Sequence, residues 1–122
     1  MAKRILIIED DLDHQGLYTS VLTEAGYTVD AASDGVEGER KIREGKADLV
    51  LLDIILPKTD GMNILKNLKA FPPKTMPKIV LLTNLPDERV AKEGLKNGAD
   101  GFLMKSKIEP QDLALEVRSY LK

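Results

Sequence analysis

The sequence predicts an α/β domain in which a five-stranded parallel sheet carries helices on both faces. Five short apolar runs alternate with five longer segments whose apolar residues have helical spacing. Strands that are joined by crossover helices run parallel, and because helices cover both faces of such a sheet, its strands are almost continuously apolar. The runs of this chain are of that kind, so we expect a doubly wound (βα)5 sheet.

Five stretches have the length and composition of strands. They are RILII (4–8), YTVDA (27–31), DLVLL (48–52), KIVLL (78–82) and GFLM (101–104). Short runs rich in leucine and β-branched residues are typical of buried strands. The run at 27–31 is the weakest of the five.

The segments between the strands have apolar residues three or four positions apart, which places them on one face of a helix. These positions are Leu17, Val21 and Ala25 in the first segment, Val36 before the charged stretch 37–45 in the second, Ile64, Leu65 and Leu68 in the third, Val90 and Leu95 in the fourth, and Leu113, Val117 and Leu121 in the fifth. We therefore expect five helices.

Glycines and prolines punctuate these segments where helices should end or begin. Gly26, Gly45 and Gly98 follow helical stretches, where a left-handed residue commonly closes a helix, and Pro86 and Pro110 stand near helix starts. The basic, proline-containing interval 68–78 is interpreted as a solvated connection, with a docking patch as the alternative.

The composition restricts the class of protein. A length of 122 residues suits one compact domain, and because the last predicted helix ends with the sequence, we expect residues 1–122 to form a single domain without an output domain. The formal net charge of −2 gives no electrostatic reason to expect binding to nucleic acid or to an anionic membrane. The absence of cysteine excludes disulfides, a thiol nucleophile and thiolate-bound zinc. The apolar part of the opening MAKRILII is too short for a signal peptide or a membrane span, so we expect a cytoplasmic protein.

Polar residues follow four of the five strands directly. In an open parallel sheet, ligands bind beyond the carboxyl ends of the strands, so these residues should share one rim. They are Glu9, Asp10 and Asp11 after the first strand, Asp53 after the third, Thr83 after the fourth and Lys105 after the fifth.

Crowded carboxylates at this rim need either a shared proton or a cation. Two such charges about 4 Å apart repel by roughly 4 kcal/mol at an effective dielectric near 20. Oxygen ligands without histidine or thiol at the rim select Mg²⁺, which keeps waters that a phosphoryl oxygen can displace. Asp53 stands alone at the tip of the most apolar strand and is the candidate nucleophile for phosphoryl transfer, with Lys105 as a second positive group and Thr83 as a hydroxyl donor.

Four motifs in this order and spacing, ILIIEDD, DLVLLDIILPKTDG, IVLLT and GADGFLMK, resemble the receiver domain of two-component response regulators along the whole chain. The resemblance implies a flavodoxin-like sheet with strand order 2-1-3-4-5. It also implies a phosphorylation-dependent signalling switch that takes its phosphoryl group from a sensor histidine kinase, a phosphotransfer protein or a small phosphodonor. Such a switch modifies itself and is not an enzyme acting on a separate substrate.

The family's site residues carry over onto matching positions of this chain. Asp53 becomes the phosphoacceptor, with Thr83 and Lys105 contacting the phosphoryl group. Asp10 becomes a direct Mg²⁺ ligand, Glu9 a ligand through water, Asp53 itself a ligand, and the main-chain oxygen of Ile55 completes the metal site. Thr83 and Phe102 become the switch pair. A downstream protein target, not yet identified, and a phosphorylation-dependent dimer are further expectations.

The chain also departs from the family pattern. Ser106 follows Lys105 where proline is common, so we expect a trans peptide bond there. Asn84 replaces a smaller residue, and Phe102 lacks a tyrosine hydroxyl. Ile55 and Leu85, two positions beyond the acceptor and the threonine, are apolar and cannot orient an attacking water, which predicts slow autodephosphorylation.

Several alternatives remain at this stage. A Mg²⁺-dependent phosphohydrolase with an aspartyl-phosphate intermediate is the main competing function, although the D-x-D at 11–13 lacks the expected following residue. A flavin carrier would need a Gly/Ser/Thr-rich phosphate loop where three acids stand. His14 is expected to be partly buried or to help dock a kinase, since it shares a helical face with Leu17, Tyr18 and Val21. Asp11 is either a metal ligand or a first-turn helix acid, and Asp60 with Gly61 is expected to form a turn and helix cap.

Overall fold

The computed structural model describes residues 2–84 and 88–121 and confirms the predicted architecture. The elements in chain order are β1 (Arg4–Ile8), α1 (Leu12–Glu24), β2 (Thr28–Ala32), α2 (Gly35–Arg43), β3 (Leu49–Leu52), α3 (Gly61–Ala70), β4 (Lys78–Thr83), α4 (Glu88–Lys96), β5 (Gly101–Met104), a 3-10 turn (Lys105–Lys107) and α5 (Pro110–Tyr120). All strand pairs are parallel, and the order across the sheet is β2-β1-β3-β4-β5.

Two apolar cores lie on opposite faces of the sheet. Along β1, the side chains of Ile5 and Ile7 join the core that contains α1 and α5, whereas Leu6 and Ile8 join the core under α2 and α3. Successive side chains of a strand point to opposite faces, so both sides of this strand are buried. This explains why the strand sequences show no polar alternation.

Several helices begin or end at the residues that the sequence predicted. Asp60 is the N-cap of α3, and its Oδ1 accepts from the backbone N–H of Asn63 at 2.8 Å, which confirms the predicted cap. Gly26, Gly45 and Gly98 have φ values of 102°, 75° and 107°, in the left-handed region. Pro110 is the first residue of α5.

The predicted face of α1 is wrong by one position. The buried residues of α1 are Tyr18 and Leu22, whereas Leu17 is 44% exposed. Val36 of α2 and Leu95 of α4 are also exposed, and the helix positions that face the sheet there include Gly38 and Gly94. Small residues allow these helices to approach the sheet closely. A search for apolar spacing does not detect glycine at such positions.

The remaining boundaries differ slightly from expectation. Helix α3 runs to Ala70, so the connection begins at 71 and not at 68. No peptide bond of the described residues is cis, which confirms the trans bond before Ser106. Within the described part of the chain, no helix is long and apolar enough to cross a membrane. Pro86 and Leu85 lie outside the described residues.

Candidate phosphoacceptor site

The carboxyl ends of β1, β3, β4 and β5 meet around a cavity of about 320 Å³. All the site residues predicted at the strand ends line this cavity, and Asn84 and His14 join them. The lining residues are Glu9, Asp10, Asp11, His14, Asp53, Ile55, Thr83, Asn84 and Lys105. Parallel strands bring their ends to one rim, which is why residues from opposite ends of the sequence converge here.

Glu9 directly follows β1 and is buried. Its backbone N–H donates to the Ala32 carbonyl at 3.0 Å, and Gln15 Nε2 donates to its carbonyl oxygen at 2.9 Å. Carboxylate oxygen Oε1 contacts both Lys105 Nζ and His14 Nδ1, the latter at 3.2 Å. The other oxygen, Oε2, is buried and has no hydrogen-bond partner in the described structure.

Asp53 is held at the end of β3 by donors on each of its oxygens. Oδ1 accepts from the backbone N–H of Ile55 at 3.2 Å, and Oδ2 accepts from Lys105 Nζ at 2.8 Å. The side chain of Asp53 is 10% exposed, and that of Lys105 is 9% exposed. Lys105 is therefore buried against Asp53 and is not an ordinary surface lysine.

The two carboxylates that contact Lys105 differ in their pKa. Burial raises the pKa of Glu9 to about 8, with the neighbouring Asp53 acting in the same direction and Lys105 opposing them. Burial also acts to raise the pKa of Asp53, but the interactions with Glu9 and Lys105 outweigh it, and this pKa lies below its ordinary value. Burial acts to lower the pKa of Lys105, but Asp53 and Glu9 outweigh it and raise that pKa. Without a cation, protonation is therefore favoured at Glu9 over Asp53.

The acidic cluster fits a hard divalent cation. Glu9, Asp10 and Asp53 each offer a carboxylate oxygen, and these oxygens lie within 4.8 Å of one another. The buried Oε2 atom of Glu9, which has no donor, marks a position where a positive group would be stabilised. Oxygen ligands are those that Mg²⁺ prefers, so the residues present suit it.

Asp11 has a structural task beside this cluster. It is the N-cap of α1, and its Oδ1 accepts from the backbone N–H groups of Asp13 at 2.9 Å and His14 at 3.2 Å. These bonds satisfy donors that every helix start leaves unpaired. Asp11 is therefore the capping residue just before α1, whereas the acid in the first turn of this helix is Asp13.

The predicted switch and rim residues are placed as follows. Thr83 is 1% exposed at the end of β4, and Phe102 is partly buried against the core that lies under α2, α3 and α4. Ile55 is 61% exposed at the mouth of the cavity. Leu85, the other residue on which slow autodephosphorylation depends, lies outside the described residues, so that expectation stays a prediction.

Two site residues were not predicted as such. His14 was expected to be partly buried, but its direct contact with Glu9 was not foreseen. Gln15 Nε2 holds the Glu9 carbonyl and also contacts Ser33 Oγ at 3.2 Å. The available signal was position, because side chains in the first turn of a helix that follows β1 point back over the strand end.

Comparisons with known proteins agree with this geometry. The family model for the response regulator receiver domain matches residues 5–118. The chain is 35% identical over 122 residues to the DNA-binding response regulator MtrA of Mycolicibacterium paratuberculosis, covering 100% of this chain and 52% of that protein. It is also 35% identical to the alkaline phosphatase synthesis transcriptional regulatory protein PhoP of Bacillus subtilis, covering 100% of this chain and 50% of that one.

A solved structure extends the likeness to three dimensions. The crystal structure of a putative response regulator from Chloroflexus aurantiacus superposes with a TM-score of 0.87 at 32% identity, covering 99% of this chain and 98% of that one. The chain spans about half the length of the curated relatives that it matches. The chain belongs to the family of response regulator receiver domains, the signalling switches of two-component systems.

Proposed function

We propose that the chain is a phosphorylation-dependent switch that accepts a phosphoryl group on Asp53. The observation that carries this proposal is the bond from Lys105 Nζ to Asp53 Oδ2 at 2.8 Å, inside an acidic cluster open to a cavity. A lowered pKa keeps Asp53 ionised, and an ionised carboxylate is the form that attacks phosphorus. The donor is the phosphohistidine of a sensor kinase or phosphotransfer protein, or a small phosphodonor.

Each of these residues has a role in the proposed phosphoryl transfer to Asp53. An oxygen of Asp53 forms a bond to phosphorus while the bond from phosphorus to the donor nitrogen breaks, and the donor imidazole takes up a proton. Lys105 contacts Asp53 and would balance the negative charge of the arriving phosphoryl group, and the Thr83 hydroxyl would donate to one of its oxygens. Glu9, Asp10, Asp53 and the main-chain oxygen of Ile55 would hold Mg²⁺, which supplies charge neutralisation for the phosphoryl oxygens when bound.

The output is a change of surface. Thr83 lies at the end of β4, beside β5, which carries Phe102. We propose that engagement of Thr83 by the phosphoryl group favours an inward position of Phe102, which changes the surface offered to a downstream protein or to a second phosphorylated copy. The switch shifts an equilibrium between two conformations that the free protein already samples.

Intact mass spectrometry tests the proposal. The protein is incubated with phosphoramidate and Mg²⁺, and we expect it to gain one phosphoryl group. Asp53→Asn, which preserves the side chain's shape, should gain none, and Lys105→Ala should be modified far more slowly. Circular dichroism of each variant checks that it is folded. Phosphorylation of Asp53→Asn at the wild-type rate would contradict the assignment of the acceptor.

A turnover assay separates the switch from the competing phosphohydrolase. A switch releases at most about one phosphate per chain for each cycle of its own modification, whereas a phosphohydrolase releases phosphate continuously from small phosphate esters. The acidic cluster serves both reactions, so this kinetic difference decides between them. Sustained release that Asp53→Asn abolishes would overturn the proposed switch in favour of the phosphohydrolase.

A further inference from the structure

His14 lies in the first turn of α1, directly over the acidic cluster. Its Nδ1 atom is 3.2 Å from Glu9 Oε1 and 3.8 Å from Asp11 Oδ2. Its ring stacks on Tyr18, with ring centroids 6.0 Å apart and planes inclined by 28°. The stacking and the Asp11 cap at the helix start together orient the imidazole toward Glu9.

The two oxygens of Glu9 have different surroundings. Oε1 contacts His14 Nδ1 and Lys105 Nζ, whereas Oε2 is buried without a partner. A carboxylate that is held at one oxygen presents the other in a fixed direction. The groups bound to Oε1 therefore decide where Oε2 points.

Of the two groups that contact Glu9 Oε1, Lys105 is the one whose position changes under the proposed function. Its Nζ also donates to Asp53 Oδ2, and phosphorylation of Asp53 would disturb this contact. When Lys105 turns toward a phosphoryl group on Asp53, its interaction with Glu9 weakens. The contact between His14 Nδ1 and Glu9 Oε1 includes no atom of Asp53 or Lys105, so that movement does not break it directly.

We propose that His14 is a positioning residue that holds Glu9 in its metal-facing orientation through Nδ1, before and after phosphorylation. The proposal deepens the proposed function and rests on it for the role of Glu9 toward Mg²⁺. Outer partners of metal-site carboxylates act in this way, and their removal typically weakens metal binding by about 10- to 100-fold. The effect requires the form of the imidazole in which Nδ1 carries a hydrogen and donates to Glu9 Oε1, so the nature of the side chain is decisive.

A pair of substitutions isolates that donor. His14→Phe keeps a ring to stack on Tyr18 but removes the donor, and His14→Gln keeps a donor but removes the ring. We expect Mg²⁺ affinity to fall about tenfold in His14→Phe and to be largely restored in His14→Gln. Affinity is measured by Mg²⁺ titration of the unphosphorylated protein, followed by the amide chemical shift of Asp53. Leu17→Gln, an exposed change on the same helix, should bind Mg²⁺ as the wild type does.

Further measurements separate the possible outcomes. Unfolding midpoints in EDTA report folding without metal, and a His14→Leu variant replaces His14→Phe if the latter does not fold. Unchanged or tighter Mg²⁺ binding in the donor-free variant would overturn the proposal, as would equal loss in His14→Gln. The proposed function fails separately: a wild type that binds Mg²⁺ in a His14-dependent manner but is not phosphorylated would retain the positioning role without the switch.

Discussion

Burial separates the behaviour of Glu9 from that of Asp53, although both carboxylates contact Lys105. Asp53 has two donors, one on each oxygen, whereas Glu9 has one buried oxygen without any. A buried oxygen without a donor disfavours ionisation, which raises the pKa of Glu9 to about 8. The same asymmetry makes Asp53 the more readily ionised of the two carboxyls, as its proposed role as nucleophile requires.

This asymmetry predicts how stability depends on pH in the absence of divalent ions. The pKa of Glu9 lies at about 8 in the folded protein against an ordinary value of 4.5, so the folded state binds the extra proton between these values. The contribution of Glu9 to stability is fully present below 4.5 and is lost as the pH rises through 8. We expect the free energy of unfolding in EDTA to fall across this interval by up to about 1.4 kcal/mol per pH unit, the slope for one proton.

Urea unfolding at a series of pH values measures this slope. Glu9→Gln cannot bind the proton and should show a flatter profile across the same interval. The depressed pKa of Asp53 acts in a different window, because its contribution is present above its ordinary value of 3.8 and is lost as the pH falls below it. A slope between 4.5 and 8 that is equal in wild type and Glu9→Gln would show that Glu9 is not its source.

At the level of single residues, the sequence allowed the main site to be predicted because strand ends are easy to locate. Glu9, Asp53, Thr83 and Lys105 all follow apolar runs, and the carboxyl ends of parallel strands lie at one rim of the sheet. The contact of His14 with Glu9 could not be predicted in the same way. It depends on the rotation of α1 about its axis, which spacing alone leaves open.

Helix α3 approaches the end of β3 so closely that its first residue, Gly61, has no room for a side chain. A Cβ atom on Gly61 would lie 2.3 Å from the carbonyl oxygen of Asp53 and 2.9 Å from the Cα atom of Ile54. The backbone N–H of Gly61 also donates to the Ile54 carbonyl at 2.8 Å. The start of α3 therefore holds the backbone of Asp53 and Ile54 in place.

Gly61→Ala should accordingly destabilise the protein and displace Asp53. The obstructing atoms are backbone, so the helix has to move, and we expect a loss of several kcal/mol, at the upper end of what single substitutions cause. Gly16→Ala is the matched control, since nothing lies within 4 Å of a Cβ atom there, and alanine in α1 should stabilise by up to about 1 kcal/mol. Urea unfolding measures both changes, and equal effects of the two substitutions would contradict the steric argument.

At the level of elements, the existence of α1 was predictable but its buried face was not. Leu17 and Val21 have the same helical spacing as Tyr18 and Leu22, and periodicity cannot choose between adjacent stripes. The structure buries the second pair because Tyr18 and Leu22 pack against the core that contains α5. That packing arises from contacts distant in sequence, which a local pattern does not contain.

At the level of the whole molecule, the layers were predictable from the alternation of elements, whereas the strand order was not. Apolar runs on β1 and β3 show that these strands are buried on both faces, but they do not say which neighbours they have. The order β2-β1-β3-β4-β5 was carried over from the family resemblance, and the structure confirms it. This order puts β1 beside β3 and thereby brings Glu9 and Asp10 to Asp53.

The adjacency of β1 and β3 gives the whole domain a stability cost that a cation can remove. The carboxylate oxygens of Glu9, Asp10 and Asp53 lie within 4.8 Å of one another. Two like charges about 4 Å apart repel by at least about 1 kcal/mol, the value in bulk water. We expect Asp10→Asn to raise the free energy of unfolding in EDTA by about that amount. The wild type should gain about 2.7 kcal/mol at a Mg²⁺ concentration one hundred times its dissociation constant, and Asp10→Asn should lose most of this gain.

Glu24→Gln, which removes one negative charge at the far end of α1, controls for net charge and should change neither quantity appreciably. Urea unfolding of the three proteins with and without Mg²⁺ provides the comparison, and an Asp10→Asn variant that is less stable in EDTA and still stabilised by Mg²⁺ would show that Asp10 lies outside the metal site.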